Sequence, residues 1–241
     1  VHIHSGKFQD FCRSFAGRSV RHELSKDYRK TVVLEDRWLE ELVEWIPDDS
    51  MVVPNFVVRK RAVINKSKIG NPIVLLLLSR ADKIKGRDLA IRVVEELNSR
   101  GVESKLRVTG SLTDKGGGNG FLEELGWVEE DEKIELMSDA DFLLSPSLYE
   151  GSSMTVIEGI VHGIPCICSK ASEETIGVSS LVVDSSDPNE WADRIESLIS
   201  EEKYQYVREE IAKRSKHFDR NKIVHLWGEI YSGMVSRSME K

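Results

Sequence analysis

Residues Ile73 to Leu78 form an apolar run without interruption, bounded by Pro72 on one side and Ser79-Arg80 on the other. A run of this kind suits a strand buried on both faces of a helix-covered parallel sheet, and it is far too short to cross a membrane. Downstream of it the chain repeats a strand-helix rhythm. Residues 85–101 carry Leu89, Val93 or Val94, and Leu97 on one helical stripe and close on Gly101. Residues 104–110 read as the next strand, 130–140 as a short helix whose acidic start suits the helix dipole, 141–147 as a strand and about 153–162 as a helix. Strands over 164–169 and 180–184 come next. A helix over 187–200 opens on Asp187 as cap, with Pro188 at its first position. Helical stretches near 201–217 and 221–236 finish the chain. This alternation predicts an α/β fold, a Rossmann-like doubly wound parallel sheet with helices on both faces. Ligands in such sheets bind at the carboxyl ends of strands, which is where Arg80, Gly110 and Glu150 fall.

The first 55 residues differ. Val1-His2-Ile3-His4 and residues 31–36 read as strands, 37–46 as a helix, and 50–55 as a strand ending in a turn. That is too little for a sheet domain and looks like the tail of a preceding, partial α/β unit. With no initiator methionine, the opening reads as a strand entered mid-fold, so we expect a fragment or a chain that has lost an upstream segment. Residues 56–70 are basic and aperiodic, and read as a connection. The expected division is therefore 1–55, remnant of a first domain; 56–70, linker; 71–217, ligand-binding domain; and 218–241, a closing helix.

Bulk properties narrow the function. A chain of 241 residues has room for one large domain, or one domain plus a fragment. Its net charge of −7 argues against a general nucleic-acid binder. The absence of a signal peptide and the presence of only three cysteines, Cys12, Cys166 and Cys168, point to a reducing compartment and the cytoplasm. Cys166 and Cys168 alternate along a strand and share one face. A Cys-x-Cys pair can serve a metal, but no second pair lies near it in sequence, so the two read as small buried hydrophobes.

Three stretches bear on chemistry. Arg80 at a strand end and Lys85 near the start of the next helix are either solvated surface charges or, with helix amides behind them, a phosphate or diphosphate site. The glycine-rich Asp114–Gly120 lacks the closing Lys-Ser/Thr of a phosphate loop and reads as a flexible connection. In SLYEGSSMTVIEGIVHGIP, residues 147–165, Glu150 and Glu158 are eight positions apart. A fully helical path would separate them by roughly 12 Å along the axis, too far for a glycosidase pair sharing one bond. Such a pair suits different parts of one long ligand: one carboxylate takes a ribose diol, the other a second sugar, and the amides of Ser152 to Thr155 face the phosphates between them. On spacing alone the pair also fits two surface glutamates.

The segments LLLLSRADKIKG, LRVTG, ELGWV, SDADFLLSPSLYEGSSMTVIEGIVHGIPCICS and LVVDSSDPNEWADRI together resemble the donor-binding domain of glycosyltransferase family 4, retaining enzymes of the GT-B fold. The Glu-x7-Glu element between a Pro-Ser strand and a Gly-x-Pro strand is its most specific signature and is intact. HFDRNKIVHLWGEIYSGM resembles the closing helix with which these enzymes return to their first domain. VHIHS, TVVLEDRWLEEL and VVPN resemble the end of their acceptor-side domain, whose first elements are absent here.

The resemblance implies a hexosyltransferase moving a sugar from a nucleoside-diphosphate donor, with UDP and GDP as candidates, to a glycan or lipid-linked glycan, as in polysaccharide biosynthesis. It implies that Arg80 and Lys85 bind the diphosphate and stabilise the leaving group, that Glu158 holds the ribose, and that Glu150 with the amides of Gly151, Ser152, Ser153 and Met154 meets the sugar and phosphates. Thr155 belongs to the same helix start. Gly126 and Trp127 fall where backbone meets the base, and His4 matches a histidine near the reaction centre; a structural role for His4 stays open. No cofactor and no metal are implied. Expected partners are the donor and the acceptor, not nucleic acid, with room for peripheral contact at the cytoplasmic membrane face and for a partner chain supplying the missing part. Gly-Ser-Ser-Met replaces the family's frequent Gly-Phe-Gly, Gly159 and His162 stand in an often Ala-rich helix, and the usual Gly-Gly is absent from SKASEETIG. Two other readings remain: a sugar-nucleotide epimerase on the same scaffold, and a non-catalytic nucleotide-sugar-binding or assembly protein.

Overall fold

The computed structural model describes Ile3, Phe11, Ile64, Lys66 and residues 13–24, 30–59, 68–80, 82–110 and 120–239. The chain divides into two compact units. The first comprises Val1–Val58, Glu150–Ser152 and Phe218–Lys241; the second comprises Arg59–Tyr149 and Ser153–His217.

The second unit is built on the apolar run. Strand β3 (Ile73–Leu77) buries Leu75, Leu76 and Leu77 completely or nearly so, because it lies inside a six-stranded parallel sheet of order β5-β4-β3-β6-β7-β8. Its neighbours are β4 (Ser104–Thr109) and β6 (Phe142–Ser145), with Leu75 opposite Leu106 on one side and Phe142 on the other. The sheet ends in β5 (Leu122–Gly126) on one edge and continues through β7 (Cys166–Ser169) to β8 (Val182–Val183) on the other. The chain first steps outward from β3 to β5, then returns to β6 beside β3 and steps the other way. Strand direction of travel therefore reverses between β3 and β6, the topological switch point at which such sheets open a crevice. This is the expected Rossmann-like α/β architecture.

Helices cover the sheet. Helix α3 (Arg87–Ser99) buries Leu89, Val93, Val94 and Leu97, the stripe legible in the sequence, and packs against α7 (Pro188–Leu198). Asp187 caps α7 by accepting from the Asn189 amide at 2.9 Å, with Pro188 in the first turn. Helix α4 (Glu130–Asp139) precedes β6, α5 (Met154–His162) follows it, and the short α6 (Glu173–Ile176) follows β7. Helix α8 (Glu201–Arg214) packs against α5 and sends Tyr204 inward, where its hydroxyl donates to the Asp141 carbonyl at 3.0 Å. Both Cys166 and Cys168 are fully buried.

Two features differ from the sequence reading. β5 is a strand that apolar patterning does not reveal, because it is an edge strand of sequence LEELG: it pairs with β4 through its backbone, and its charges meet cations, Glu123 with Arg107 at 2.9 Å and Glu124 with Arg87. The basic stretch 56–70 is not a bare connection where it is described. Lys66 reaches the fully buried Asp141 at 2.7 Å, Arg208 donates to the Ile64 and Lys66 carbonyls, and the Ile64 amide donates to the His162 carbonyl at 2.9 Å. Asp141 also accepts from the amides of Gly70 and Val74, which satisfies a carboxylate that burial would otherwise penalise.

The first unit contains helix α1 (Phe15–Leu24), a two-stranded parallel pair β1 (Val32–Val33) and β2 (Met51–Val52), helix α2 (Arg37–Glu41) and the long α9 (Arg220–Met239). The amide of Ile3 donates to the Val32 carbonyl at 2.9 Å. Val32 and Val53 form a core with Ile223 and Ile230 of α9, flanked by Met51, Phe56, Leu226, Trp227 and Met234. The helix expected over 37–46 ends at Glu41 and continues as turns to Trp45. Among the described residues no helix is long and apolar enough to cross a membrane.

Candidate functional site

The carboxyl edge of the second unit gathers the predicted cations. After β3 the chain passes Leu78 and Ser79 to the exposed Arg80, then makes a 3-10 turn, Lys83–Lys85. Asp82 caps this turn by accepting from the Ile84 amide at 3.0 Å, and Gly86 ends it at φ +70°. A side chain at Gly86 would be strained at that φ and would collide with the Pro146 carbonyl. The close approach lets the Ile84 carbonyl accept from the Leu148 amide at 2.8 Å. The loops after β3 and β6, which flank the switch point, are thereby tied together, with the half-buried Lys85 at the tie. Gly110, at φ +73°, ends β4 against the Ser79 carbonyl in the same way, and its amide donates to the Gly126 carbonyl at 2.6 Å. Gly126 is therefore buried at the end of β5, whereas Trp127 beside it is 69% exposed.

Helix α5 supplies amides and a carboxylate. Its N-cap, Ser153, is buried and makes no side-chain cap. Helical first-turn amides have no partner inside the helix, so those of Met154 to Val156 are available to an anion. Thr155 fastens this turn to the end of β3 by donating its hydroxyl to the Leu78 carbonyl at 3.1 Å. Because α5 begins at Met154, Glu158 lies about one turn into the helix. Its carboxylate accepts from Lys133 of α4 at 2.7 Å, and Lys133 also pairs with Glu130 at 3.0 Å. Burial opposes the charge on Lys133, but hydrogen bonds to Glu158 and Glu130 outweigh it and hold its pKa above the ordinary lysine value. His162, one turn beyond Glu158, is 3% exposed, and its Nδ1 has no hydrogen-bond partner among the described residues. Burial, then the charges of Arg59 and Lys133, lower its pKa below the ordinary value, against a smaller opposing effect of Glu130.

Glu150, Gly151 and Ser152 cluster with the first unit. Arg37 donates to the Glu150 carbonyl at 3.0 Å, the Trp38 indole donates to the Gly151 carbonyl at 2.6 Å, and Glu35 pairs with Arg37 at 2.7 Å. Sequence reasoning did not single out Arg37, Trp38 or Lys133. Each acts on a partner that is distant in the chain, so no local spacing signals it. His4 and most of Asp114–Gly120 lie outside the described residues.

A cavity of about 480 Å³ lies elsewhere, toward the amino ends of the strands, lined by Ile64, Lys66, Val74, Arg107, Ser138 and Asp139. Its cations are already paired, Lys66 with Asp141 and Arg107 with Asp139 and Glu123, so it offers an anion little. Among the described residues no group of three or more His, Cys, Asp or Glu could hold a metal ion.

The profile of the family described as glycosyl transferases group 1 matches residues 72–201, more than half of the chain. The chain belongs to that family. A D-inositol 3-phosphate glycosyltransferase of Corynebacterium jeikeium (strain K411) is 25% identical over 158 residues, 56% of this chain and 38% of the relative. O-antigen chain mannosyltransferase B of Escherichia coli is 31% identical over 78 residues, 32% of this chain and 20% of the relative. The chain thus spans less than half the length of these curated relatives. Sucrose-phosphate synthase from Thermosynechococcus elongatus superposes with a TM-score of 0.76 at 15% identity, covering 98% of this chain and 67% of that one. A TarM mutant of S. aureus, solved with fondaparinux, α-GlcNAc-glycerol and UDP, gives 0.77 at 18% identity, covering 95% and 50%. These structural likenesses place the group 1 chain in the GT-B fold. The matched segment contains Arg80, Lys85, Gly126, Trp127, Glu150 and Glu158.

Proposed function

We propose that this chain is the donor-binding portion of a retaining, family 4-like glycosyltransferase that moves a hexosyl group from a nucleoside-diphosphate sugar to a glycan or lipid-linked glycan. The observation that carries the reading is the arrangement around the switch point between β3 and β6: two cations, Arg80 and Lys85, on the loop after one strand, and an uncapped helix start leading to Glu158 after the other. A diphosphate suits the cations and amides, and a ribose diol suits Glu158. Glu150 is assigned to the sugar end, and Trp127 to the base.

In the proposed reaction the bond from the anomeric carbon to the donor's phosphate oxygen breaks, and a bond to the acceptor hydroxyl oxygen forms on the same face. The acceptor proton passes to the departing phosphate, so no protein base is needed. Arg80, Lys85 and the α5 amides stabilise the charge that develops on the leaving diphosphate, and the carboxylates position the donor. Positive charge from the protein serves where other enzymes use a metal, so binding is proposed to be metal-independent. TarM and the pneumococcal transferase GtfA were both solved with UDP, which makes UDP the first nucleotide to test. Another structural neighbour is the GtfA/B complex, which supports extending the proposal to a partner chain that supplies acceptor-side groups. The cytoplasmic face of the membrane is the proposed location if the acceptor is lipid-linked.

The test is calorimetric titration of the folded chain with UDP, GDP, ADP and dTDP, first without metal and then with magnesium. Metal-independent binding of one diphosphate is expected. No binding by any of them overturns the donor-site reading, and conversion of a nucleotide sugar without acceptor would point instead to an epimerase.

A further inference from the structure

We propose that Lys133 is the positioning residue for the nucleoside end of this site, holding the Glu158 carboxylate oriented toward a ribose diol and so selecting ribonucleotides over 2′-deoxyribonucleotides. The inference rests on the donor-site reading and deepens it. Lys133 stands in the first turn of α4 and Glu158 in the second turn of α5, on elements 25 residues apart in the chain. Their side chains are 19% and 17% exposed, so the 2.7 Å pair is largely shielded from solvent. An ammonium has three donors: one meets Glu158, a second meets Glu130 at 3.0 Å, and one remains for a ligand oxygen. A carboxylate has about four lone-pair sites, of which Lys133 takes one on Oε1, leaving Oε2 to accept from a vicinal diol.

Without that cation the Glu158 carboxylate would lose the partner that fixes its rotamer, and Oε2 would no longer be held toward the diol. His162, four residues on along the same side of α5, does not replace Lys133: it is buried and held neutral by its surroundings, Arg59 and Lys133 among them. A site built to hydrogen-bond a hydroxyl discriminates strongly against the analogue that lacks it, because its polar groups are then left unpaired.

The experiment titrates the 241-residue chain and its Lys133→Met and Lys133→Arg variants with UDP, GDP and ADP and with the matching 2′-deoxynucleoside diphosphates. Wild type is expected to bind one ribonucleotide about tenfold or more tighter than its 2′-deoxy form, the effect of a charge-assisted hydrogen bond. Lys133→Met is expected to bring that ratio near unity by weakening the ribonucleotide alone, and Lys133→Arg to restore most of it. If Lys133→Met does not fold by thermal melting, Lys133→Gln carries the same comparison. An unchanged ratio in the uncharged variant, with both affinities kept or lowered alike, overturns this inference while leaving the donor site standing. Wild type that binds only 2′-deoxy forms, or both forms equally, overturns this inference alone; failure to bind any nucleoside diphosphate, dTDP included, overturns the donor-site reading and this inference with it.

Discussion

The indole N–H of Trp38 donates to the carbonyl of Gly151 at 2.6 Å, across 113 residues of chain. Arg37 beside it donates to the carbonyl of Glu150, lies with its guanidinium 4.5 Å from the Trp38 ring centroid and is held by Glu35. The backbone of the Glu150–Gly151 turn is thus held by the side chains of Arg37 and Trp38. Trp38→Phe removes the donor together with part of a buried ring. It is expected to destabilise the chain by about 1–3 kcal/mol, one hydrogen bond plus the packing lost with the indole. Urea denaturation measures this, and an unshifted midpoint would show that the contact does not hold the turn.

The two glutamates are expected to separate in their effects. Glu158→Ala should weaken nucleoside-diphosphate binding by about tenfold or more, since it removes the proposed acceptor of the ribose hydroxyls. Glu150→Ala should leave nucleotide affinity nearly intact and lower turnover of the intact sugar nucleotide. Calorimetry with the nucleotide alone tells them apart; equal affinity of wild type and Glu158→Ala would sink the ribose assignment.

Arg80 is exposed, and no ion pair or hydrogen bond from its guanidinium occurs among the described residues. Its removal should therefore cost little stability but much diphosphate affinity. Arg80→Ala is expected to lose about 10- to 100-fold in binding, as for a charge-assisted hydrogen bond, and to flatten the dependence on salt. Titrations at low and high ionic strength check both. A variant that binds like wild type at every salt concentration would return Arg80 to the role of a solvated surface charge.

Burial keeps His162 neutral, with a folded-state pKa below the ordinary 6.5. Above that ordinary value both the folded and unfolded states carry it neutral. As pH falls from there toward the lower folded pKa, the unfolded chain takes up a proton that the folded chain resists, so stability falls with acid. The thermal midpoint should drop between pH 7.5 and pH 5.5, and His162→Gln should flatten that slope. Parallel melting curves for the two proteins across this range would place the acid sensitivity elsewhere.

Part of this molecule is legible in its sequence because the signal is local. The buried run Ile73–Leu78, the stripe Leu89, Val93, Val94 and Leu97, and the Asp187-Pro188 cap each arise from periodicity or from a chain neighbour, and together they determine the parallel α/β sheet. Glu150 and Glu158 stand out for the same reason, as a spacing around a turn. Strand β5 does not: at the sheet edge it pairs with β4 through its backbone and turns Glu123 and Glu124 to Arg107 and Arg87, and charged edge strands carry no apolar pattern.

What tertiary structure alone decides is which groups meet across long stretches of chain. Nothing in EDEKIEL marks Lys133 as the partner of Glu158, and nothing in EDRW marks Trp38 as the donor to Gly151. Buried Asp141, preceding β6, is met by Lys66 from the stretch that reads as a bare connection. Periodicity sorts residues by burial because burial repeats with the geometry of each element. A hydrogen bond or ion pair depends on one atom reaching another within about 3 Å, and only the packed chain sets that distance.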